Sequence, residues 1–195
     1  MRKRWTVVLL FILIFTMLVV GCKAKESTKE EIYQDFQKKI QNMKEYTCKA
    51  NVKVTGNKSP KEYEFKVTYR KPENYKIEVL APEDIKGNSI IYEKDKVFVN
   101  NPDVKDIVEL TNKANKGEYL FVGDFISNYF QNEQVEIELS NEDIAVTADI
   151  SGNSKYFKKQ VLYINRETRI PTKLEILDQE GLSRFIVGYV DFKYK

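Results

Sequence analysis

The stretch from 48 to 55 reads Cys48-Lys49-Ala50-Asn51-Val52-Lys53-Val54-Thr55, with an apolar side chain at every second position. The same period of two returns in residues 62–70 and again in residues 75–79. Side chains on a strand point alternately to opposite faces, so each stretch predicts a strand with one apolar and one charged face. Three such strands in succession predict an antiparallel sheet that is packed on one side and wet on the other.

Further elements extend this sheet along the chain. Ser27-Thr28-Lys29-Glu30 has the form of a capping box before apolar residues at helical spacing, which predicts a helix within residues 27–47. Residues 117–133 are apolar around nearly the whole circumference of a helix, which is typical of a buried one. About eleven strands are expected in all, and an antiparallel sheet of that size curls. The predicted fold class is therefore α+β: a strongly curved antiparallel β half-barrel with an N-terminal helix and a buried helix filling its concave face.

The N-terminus has the features of a lipoprotein signal. Basic Arg2-Lys3-Arg4 precedes an uncharged run from Trp5 to Val20, and Gly21-Cys22 follows. A small residue before a cysteine resembles the bacterial lipobox, in which the cysteine thiol is acylated and the chain is cut just before it, here between Gly21 and Cys22. We expect residues 1–21 to be a signal peptide, residues 22–29 a lipid-anchored linker and residues 30–195 one folded domain on the outer side of a membrane. An uncleaved anchor helix is the alternative, because the uncharged run is nearly long enough to span a bilayer.

Composition excludes several classes of function. The 195-residue chain has no histidine, which removes Ser-His-Asp triads, Cys-His dyads and histidine-based zinc sites. Residues 1–21 hold three basic and no acidic residues, so the remainder carries 29 of each and has no basic surplus for binding nucleic acid. Nucleotide-binding, serine-hydrolase and calcium-loop motifs do not occur in the sequence. We predict no catalytic residue, no bound metal and no cofactor.

Carboxylates and one thiol are the remaining reactive groups. The pairs Glu136/Glu138 and Glu142/Asp143 alternate with apolar residues or fall in a turn, which favours a solvated strand face over acid–base chemistry. Cys48 is the cysteine left over if Cys22 is acylated, so it has no partner for an intramolecular disulfide. It falls on the apolar side of its strand, and we expect a small buried core residue rather than a reactive thiol.

Several local motifs follow one another in a recognisable order. They are Lys71-Pro72-Glu73-Asn74-Tyr75-Lys76-Ile77-Glu78, Ala81-Pro82, the hairpin from Ile90 to Val99, Asn101-Pro102, and the run Tyr163-Ile164-Asn165-Arg166-Glu167-Thr168 followed by Pro171 and by Asp178 to Gly181. This order is similar to that of the LolA/LolB lipoprotein carriers, which are open β half-barrels with helices in the mouth. In those carriers an arginine precedes the first proline and helps to hold a lid closed, whereas this chain has Lys71, which lacks the planar bidentate fork.

Length, signal and pattern together resemble the GerS family of spore-germination lipoproteins. The resemblance implies a protein without catalysis of its own that binds and supports the cortex N-acetylmuramoyl-L-alanine amidase CwlD, which helps to make muramic-δ-lactam. It also implies a membrane-anchored location in the spore envelope. The carrier resemblance leaves an alternative, a lipid- or lipoprotein-binding carrier at the cell envelope.

Interior volume distinguishes these two functions. A connected apolar cavity of about 300 Å³ or more would favour a ligand, and a filled interior would favour an ordinary core. The aromatic residues that would line such a cavity are Phe65, Tyr69, Phe121, Phe125, Tyr129 and Phe130.

An open half-barrel also has two edge strands with unpaired N–H and C=O groups, which form a template for another chain. We expect the amidase to dock either on these edges or on the charged outer face, and the edges also permit a homodimer. The outer-face residues are Glu62, Glu64, Lys66, Lys76 and Glu78.

Overall fold

A computed structural model describes residues 27–56, 59–72, 74–93, 96–104, 107–111, 120–129, 135–150 and 156–195. Within these residues one antiparallel sheet contains all eleven strands. The strands are β1 (Glu45–Val54), β2 (Lys61–Arg70), β3 (Asn74–Ala81), β4 (Ser89–Glu93), β5 (Lys96–Asn100), β6 (Ile107–Thr111), β7 (Glu136–Ser140), β8 (Asp143–Asp149), β9 (Phe157–Asn165), β10 (Pro171–Asp178) and β11 (Ser183–Tyr194). The helices are α1 (Lys29–Asn42), a 3-10 helix (Glu83–Ile85) and α2 (Val122–Tyr129).

The sheet consists of two meandering arms joined in the middle. The strand order is β6-β5-β4-β3-β2-β1-β11-β10-β9-β8-β7, so β1 and β11 form the central pair while β6 and β7 are the edges. Every neighbouring pair is antiparallel, and sequential strands are neighbours within each arm. The predicted α+β fold, an open curved antiparallel sheet with helices on its concave face, is confirmed.

The period-two pattern does set the faces of the sheet. Along β1, Cys48, Ala50 and Val52 are buried while the residues between them are exposed. The β1–β2 register puts Val67 opposite Cys48 and Phe65 opposite Ala50, so the apolar faces of the two strands coincide. A slip of one residue would turn every one of these side chains into solvent, which is why the pattern fixes the register.

Helix α1 begins with a capping box one residue later than the sequence pattern predicted. The Thr28 side chain accepts a hydrogen bond from Glu31 N at 3.2 Å, and the Glu31 carboxylate accepts one from Thr28 N at 2.9 Å. The helix ends at Asn42 rather than near 47, because Met43 is already extended and β1 begins at Glu45. Its buried face consists of Ile32, Tyr33, Phe36 and Ile40.

Helix α2 occupies the centre of the segment predicted as a buried helix. The described helix is eight residues long, and the flanking residues 117–119 and 130–133 lie outside the described residues. Val122, Phe125 and Ile126 are buried as expected, but so are the polar Asp124 and Asn128. A buried polar group needs a hydrogen-bond partner, and these two side chains therefore identify the places where α2 is tied to the sheet.

Candidate functional site

The N-terminus of α2 is held against the sheet by hydrogen bonds. The Asp124 carboxylate is 6% exposed and accepts from Tyr75 Oη at 2.8 Å and from Phe121 N at 2.9 Å. Gly123 N donates to Tyr46 Oη at 3.2 Å. Asp124 thus caps its own helix and joins it to β3 with one side chain.

Three tyrosines whose rings are in contact lie beneath this helix end: Tyr46, Tyr69 and Tyr75, called the tyrosine cluster below. The ring centroids of Tyr46 and Tyr69 are 5.1 Å apart, and those of Tyr69 and Tyr75 are 4.8 Å apart. Gly123 lies directly on these rings: a Cβ added there would stand 2.0 Å from Tyr75 Oη and 2.7 Å from a Tyr69 ring carbon. The close approach of α2 to the sheet therefore requires glycine at 123.

Burial keeps the phenols of Tyr46 and Tyr75 protonated. It raises the pKa of Tyr46 and of Tyr75 well above the ordinary value, and the neighbouring Asp124 carboxylate adds to the effect at both. Burial also raises the pKa of Tyr189, another buried tyrosine of the same face, well above its ordinary value. The tyrosines of this face act as hydrogen-bonding and packing groups rather than as bases or nucleophiles.

The C-terminal end of α2 has its own polar attachment. Asn128 Nδ2 donates to Asp149 O at 2.8 Å and to Gln160 Oε1 at 3.0 Å. Gln160 is fully buried on β9, where an unpaired amide would be costly. Both ends of the helix are therefore fixed to different strands of the sheet.

Lys71 fastens α1 to the sheet in a similar way. Lys71 Nζ donates to Ile40 O at 2.6 Å and to Gln41 O at 2.9 Å, which are carbonyls at the end of the helix that lack intrahelical partners. A cation is also favoured at a helix C-terminus. The lysine at this position thus bridges β2 and α1 through main-chain oxygens, a task for which the planar fork of arginine is not required.

Among the described residues, the space left between the two helices is small. The cavity there has a volume of about 20 Å³ and is lined by α1 and α2, with Tyr33, Phe36 and Phe125 among its walls. That space is close to the size of one water molecule and far below what an acyl chain needs. The described residues beneath the helices form a packed core.

Four of the aromatic residues predicted to line the interior have side chains that the structure describes. Tyr69, Phe121 and Phe125 are buried in the core, and Phe65 is half-buried beside it. Tyr129 ends α2, where its side chain is outside what the structure describes, and Phe130 lies outside the described residues, as do Gly21 and Cys22.

A larger groove of about 420 Å³ lies at one end of the sheet, where β1 and β10 end and β9 and β11 begin. Its lining combines aromatic residues with the charged Arg184, Asp178 and Glu180, so it is not the apolar pocket of a lipid carrier. Burial would raise the pKa of Asp178, but hydrogen bonds from Leu182 N, Arg184 and Glu180 N lower it overall. The complete lining is Val54, Thr55, Gly56, Tyr156, Phe157, Asp178, Gln179, Glu180, Arg184 and Phe185.

The predicted carboxylate pairs lie on strand β7 and at the turn that leads into β8, and Cys48 lies in the core. Glu136 and Glu138 are exposed on β7, and Asp143 accepts from Thr172 Oγ1 at 2.8 Å. Cys48 is buried, and that burial raises the pKa of its thiol to about 12.

Among the described residues no group of three or more acidic or cysteine side chains is placed to hold a metal ion. No helix in the same part of the chain combines the length and hydrophobicity needed to cross a bilayer.

The two edges of the sheet carry different side chains. On β7, Lys29 Nζ of α1 donates to Ile137 O at 2.6 Å, and Leu139 is 62% exposed. On β6, Ile107 is 65% and Val108 51% exposed, and Val104 just before the strand is 51% exposed. The sequence pattern predicted two edges but gave no sign that their protection differs.

The fold defines a class of protein: an open antiparallel half-barrel with helices on its concave face. The family of sporulation proteins described as YdcC-like matches residues 2–195, and the chain belongs to that family. A comparison with curated proteins returned no match.

Solved structures extend the comparison. A chain in the structure of the CwlD amidase from Clostridioides difficile in complex with the GerS lipoprotein is 51% identical, with a TM-score of 0.55, and the match covers 89% of this chain and 100% of that one. An uncharacterised conserved protein from Thermus thermophilus is 14% identical, with a TM-score of 0.52. The match covers 84% of this chain and 87% of that one, and it shows that the two share a fold. A LolA superfamily protein from Nitrosomonas europaea is 15% identical with a TM-score of 0.47 over 83% of this chain and 93% of its own. The similarity to GerS is confirmed.

Proposed function

We propose that the chain is a non-catalytic, lipid-anchored partner of a CwlD-like N-acetylmuramoyl-L-alanine amidase in the spore envelope. The observation that carries this proposal is the 51% identity to a chain of the amidase–lipoprotein complex, because the match runs over the whole of that chain. Fold similarity alone would not support a shared partner. Identity at this level retains many surface residues as well as the core.

The interior geometry supports a partner rather than a carrier. The cavity between the helices, about 20 Å³, has no room for an acyl chain. Both helices are attached at their ends to the sheet, through Asp124 and Asn128 for α2 and through Lys71 for α1. A protein that releases cargo needs a helix that moves away, and these attachments oppose such a movement.

The anchoring part of the proposal rests on Gly21 and Cys22. Acylation of the Cys22 thiol would hold the domain at the outer face of a membrane, with the residues between Cys22 and α1 as a tether. Two or more acyl chains bind a bilayer durably, since each buried methylene contributes about 0.8 kcal/mol. The amidase would then be recruited to that membrane and would act on the cortex peptidoglycan beside it. Its support would be needed for muramic-δ-lactam and hence for spore germination.

Co-purification with the amidase tests the proposal. The full chain, extracted in mild detergent, should elute together with the recombinant amidase, and should show no hydrolysis of peptidoglycan alone. Spores that lack the gene should have a cortex without muramic-δ-lactam. Separate, monodisperse elution of the two proteins would contradict the partnership, and peptidoglycan turnover by this chain alone would contradict the non-catalytic role.

A further inference from the structure

The difference between the two sheet edges points to one docking site. We propose that the free edge of β6 takes up an extended segment of the amidase as an added strand. This inference rests on the proposed function, because it names the place where the proposed partner binds.

The β7 edge is protected against such pairing. Natural proteins protect edge strands with lysines, with covering helices and with charged side chains. Here α1 packs against β7, and its Lys29 Nζ occupies the Ile137 carbonyl at 2.6 Å. Glu136, which approaches Lys159 at 4.0 Å, and Glu138 add charge along the strand.

Within the described residues no helix packs against β6 as α1 packs against β7, and the charge that β6 itself carries is Glu109. One side of β6 pairs with β5, and the other side has no neighbouring strand in the described part of the sheet. Val104, Ile107 and Val108 are all more than half exposed. Exposed aliphatic side chains on an unprotected edge favour association with another chain.

The exposure of consecutive residues indicates the shape of the occupant. Ile107 and Val108 point to opposite faces of the sheet, as neighbours on a strand do, and both are exposed. A helix or loop lying on one face would cover one of them. A strand added in the plane of the sheet contacts both and also satisfies the free main-chain groups.

The charges around β6 indicate the chemistry of that segment. Glu109 is paired with Lys96 at 2.8 Å, so the strand presents no unbalanced charge. We therefore expect an apolar, β-branched segment. A second copy of this chain fits less well. If two β6 strands paired antiparallel about a two-fold axis over all five residues, the central Glu109 of one copy would face Glu109 of the other, and like charges directly opposite are destabilising.

A matched pair of variants tests the assignment. Ile107→Lys on β6 and Leu139→Lys on β7 introduce the same side chain at positions of almost equal exposure, 65% and 62%. Binding of full-length chain in mild detergent to immobilised amidase should weaken by about tenfold or more for Ile107→Lys and by less than about twofold for Leu139→Lys. Thermal unfolding of both variants checks that the fold is retained.

The outcomes separate this inference from the proposed function. If the unmodified chain binds and Ile107→Lys binds equally well, the β6 assignment is wrong while the partnership stands. If the unmodified chain does not bind, both are wrong. If Ile107→Lys changes the oligomeric state in size-exclusion chromatography and leaves amidase affinity unchanged, β6 belongs to a second copy and the assignment is again overturned.

Hydrogen exchange gives a second readout that needs no variant. Adding the amidase to the full-length chain should slow exchange of the amides of β6 and leave those of β7 unchanged. Slowed exchange at β7 or at the outer face, with none at β6, would overturn the inference.

Discussion

Tyr75 donates a 2.8 Å hydrogen bond to Asp124, and this bond joins the third strand of the sheet to the first turn of α2. The same carboxylate accepts from Phe121 N at 2.9 Å, so one buried side chain closes the helix end and fixes its position. This attachment holds the first turn of α2 on the concave face of the sheet.

Replacing Asp124 should therefore destabilise the whole domain. Asp124→Ala leaves the Tyr75 hydroxyl and the Phe121 amide buried without their acceptor, and we expect the free energy of unfolding to fall by about 2–4 kcal/mol. Asp84→Ala, at an exposed position in the 3-10 helix, is the control and should change it by less than about 0.5 kcal/mol. Urea unfolding followed by circular dichroism measures both. Equal midpoints for the two variants would refute a structural role for Asp124.

A methyl group at position 123 should also be disruptive. In Gly123→Ala the new Cβ would meet Tyr75 Oη at 2.0 Å, and moving either the helix or the ring should cost about 1–3 kcal/mol. Gly188→Ala is the matched control, since a Cβ there meets nothing within 4 Å. The comparison is made by thermal unfolding, and an unchanged midpoint for Gly123→Ala would show that the helix end is not closely packed.

Stability should decline at alkaline pH. Burial raises the pKa of Cys48 from 9.0 to about 12 and raises those of Tyr46 and Tyr75 well above 10.0. These groups lose their protons at lower pH in the unfolded chain than in the folded protein. Their contribution to stability is therefore complete below about pH 9 and is lost as the pH rises through their pKa values in the folded protein. Urea unfolding between pH 7 and 11 should show a falling midpoint above pH 9. In Cys48→Ala the fall should be shallower, and a midpoint independent of pH would contradict the burial of these groups.

The bridge made by Lys71 is open to a conservative test. Lys71→Met removes the donor to Ile40 O and Gln41 O, and we expect a loss of about 1 kcal/mol together with faster amide exchange at the end of α1. Lys71→Arg should restore most of the stability, since a guanidinium also donates to carbonyls. Lys66→Met on the exposed face of β2 is the control. Faster exchange in the control as well would mean that the effect is not local.

The lipid anchor predicts a change of compartment. Cys22→Ser removes the thiol that acylation requires, so the protein should leave the membrane fraction and lack the mass of the acyl chains. Fractionation and intact-mass spectrometry measure this. Continued membrane association of an uncleaved precursor would support the anchor-helix alternative.

Much of the fold could be predicted because its pattern is local. Alternation along residues 48–54 fixes which face of β1 is buried, and the short turns fix the order of the meander. The boundaries of α1 were less accurate, since both Ser27/Glu30 and Thr28/Glu31 have capping-box spacing and the second pair forms the box.

The site was harder to predict because it depends on contacts between distant residues. Asp124 and Gly123 lie in an otherwise apolar run, and an isolated acid there was an available signal of a buried attachment. Its partner Tyr75 is 49 positions away, which no local pattern gives. The unequal edges depend on the contact between Lys29 and Ile137, 108 positions apart.

The pairing of β1 with β11 has a consequence for how the protein is made. β11 is the latest strand in the sequence, yet it lies in the middle of the sheet and connects the two arms. Until the ribosome has synthesised residues 183–194, each arm has an open side where β11 belongs. A premature stop codon just before Ser183 would therefore leave two separate arms rather than a slightly shortened domain, and such an allele should behave as a complete loss of the gene.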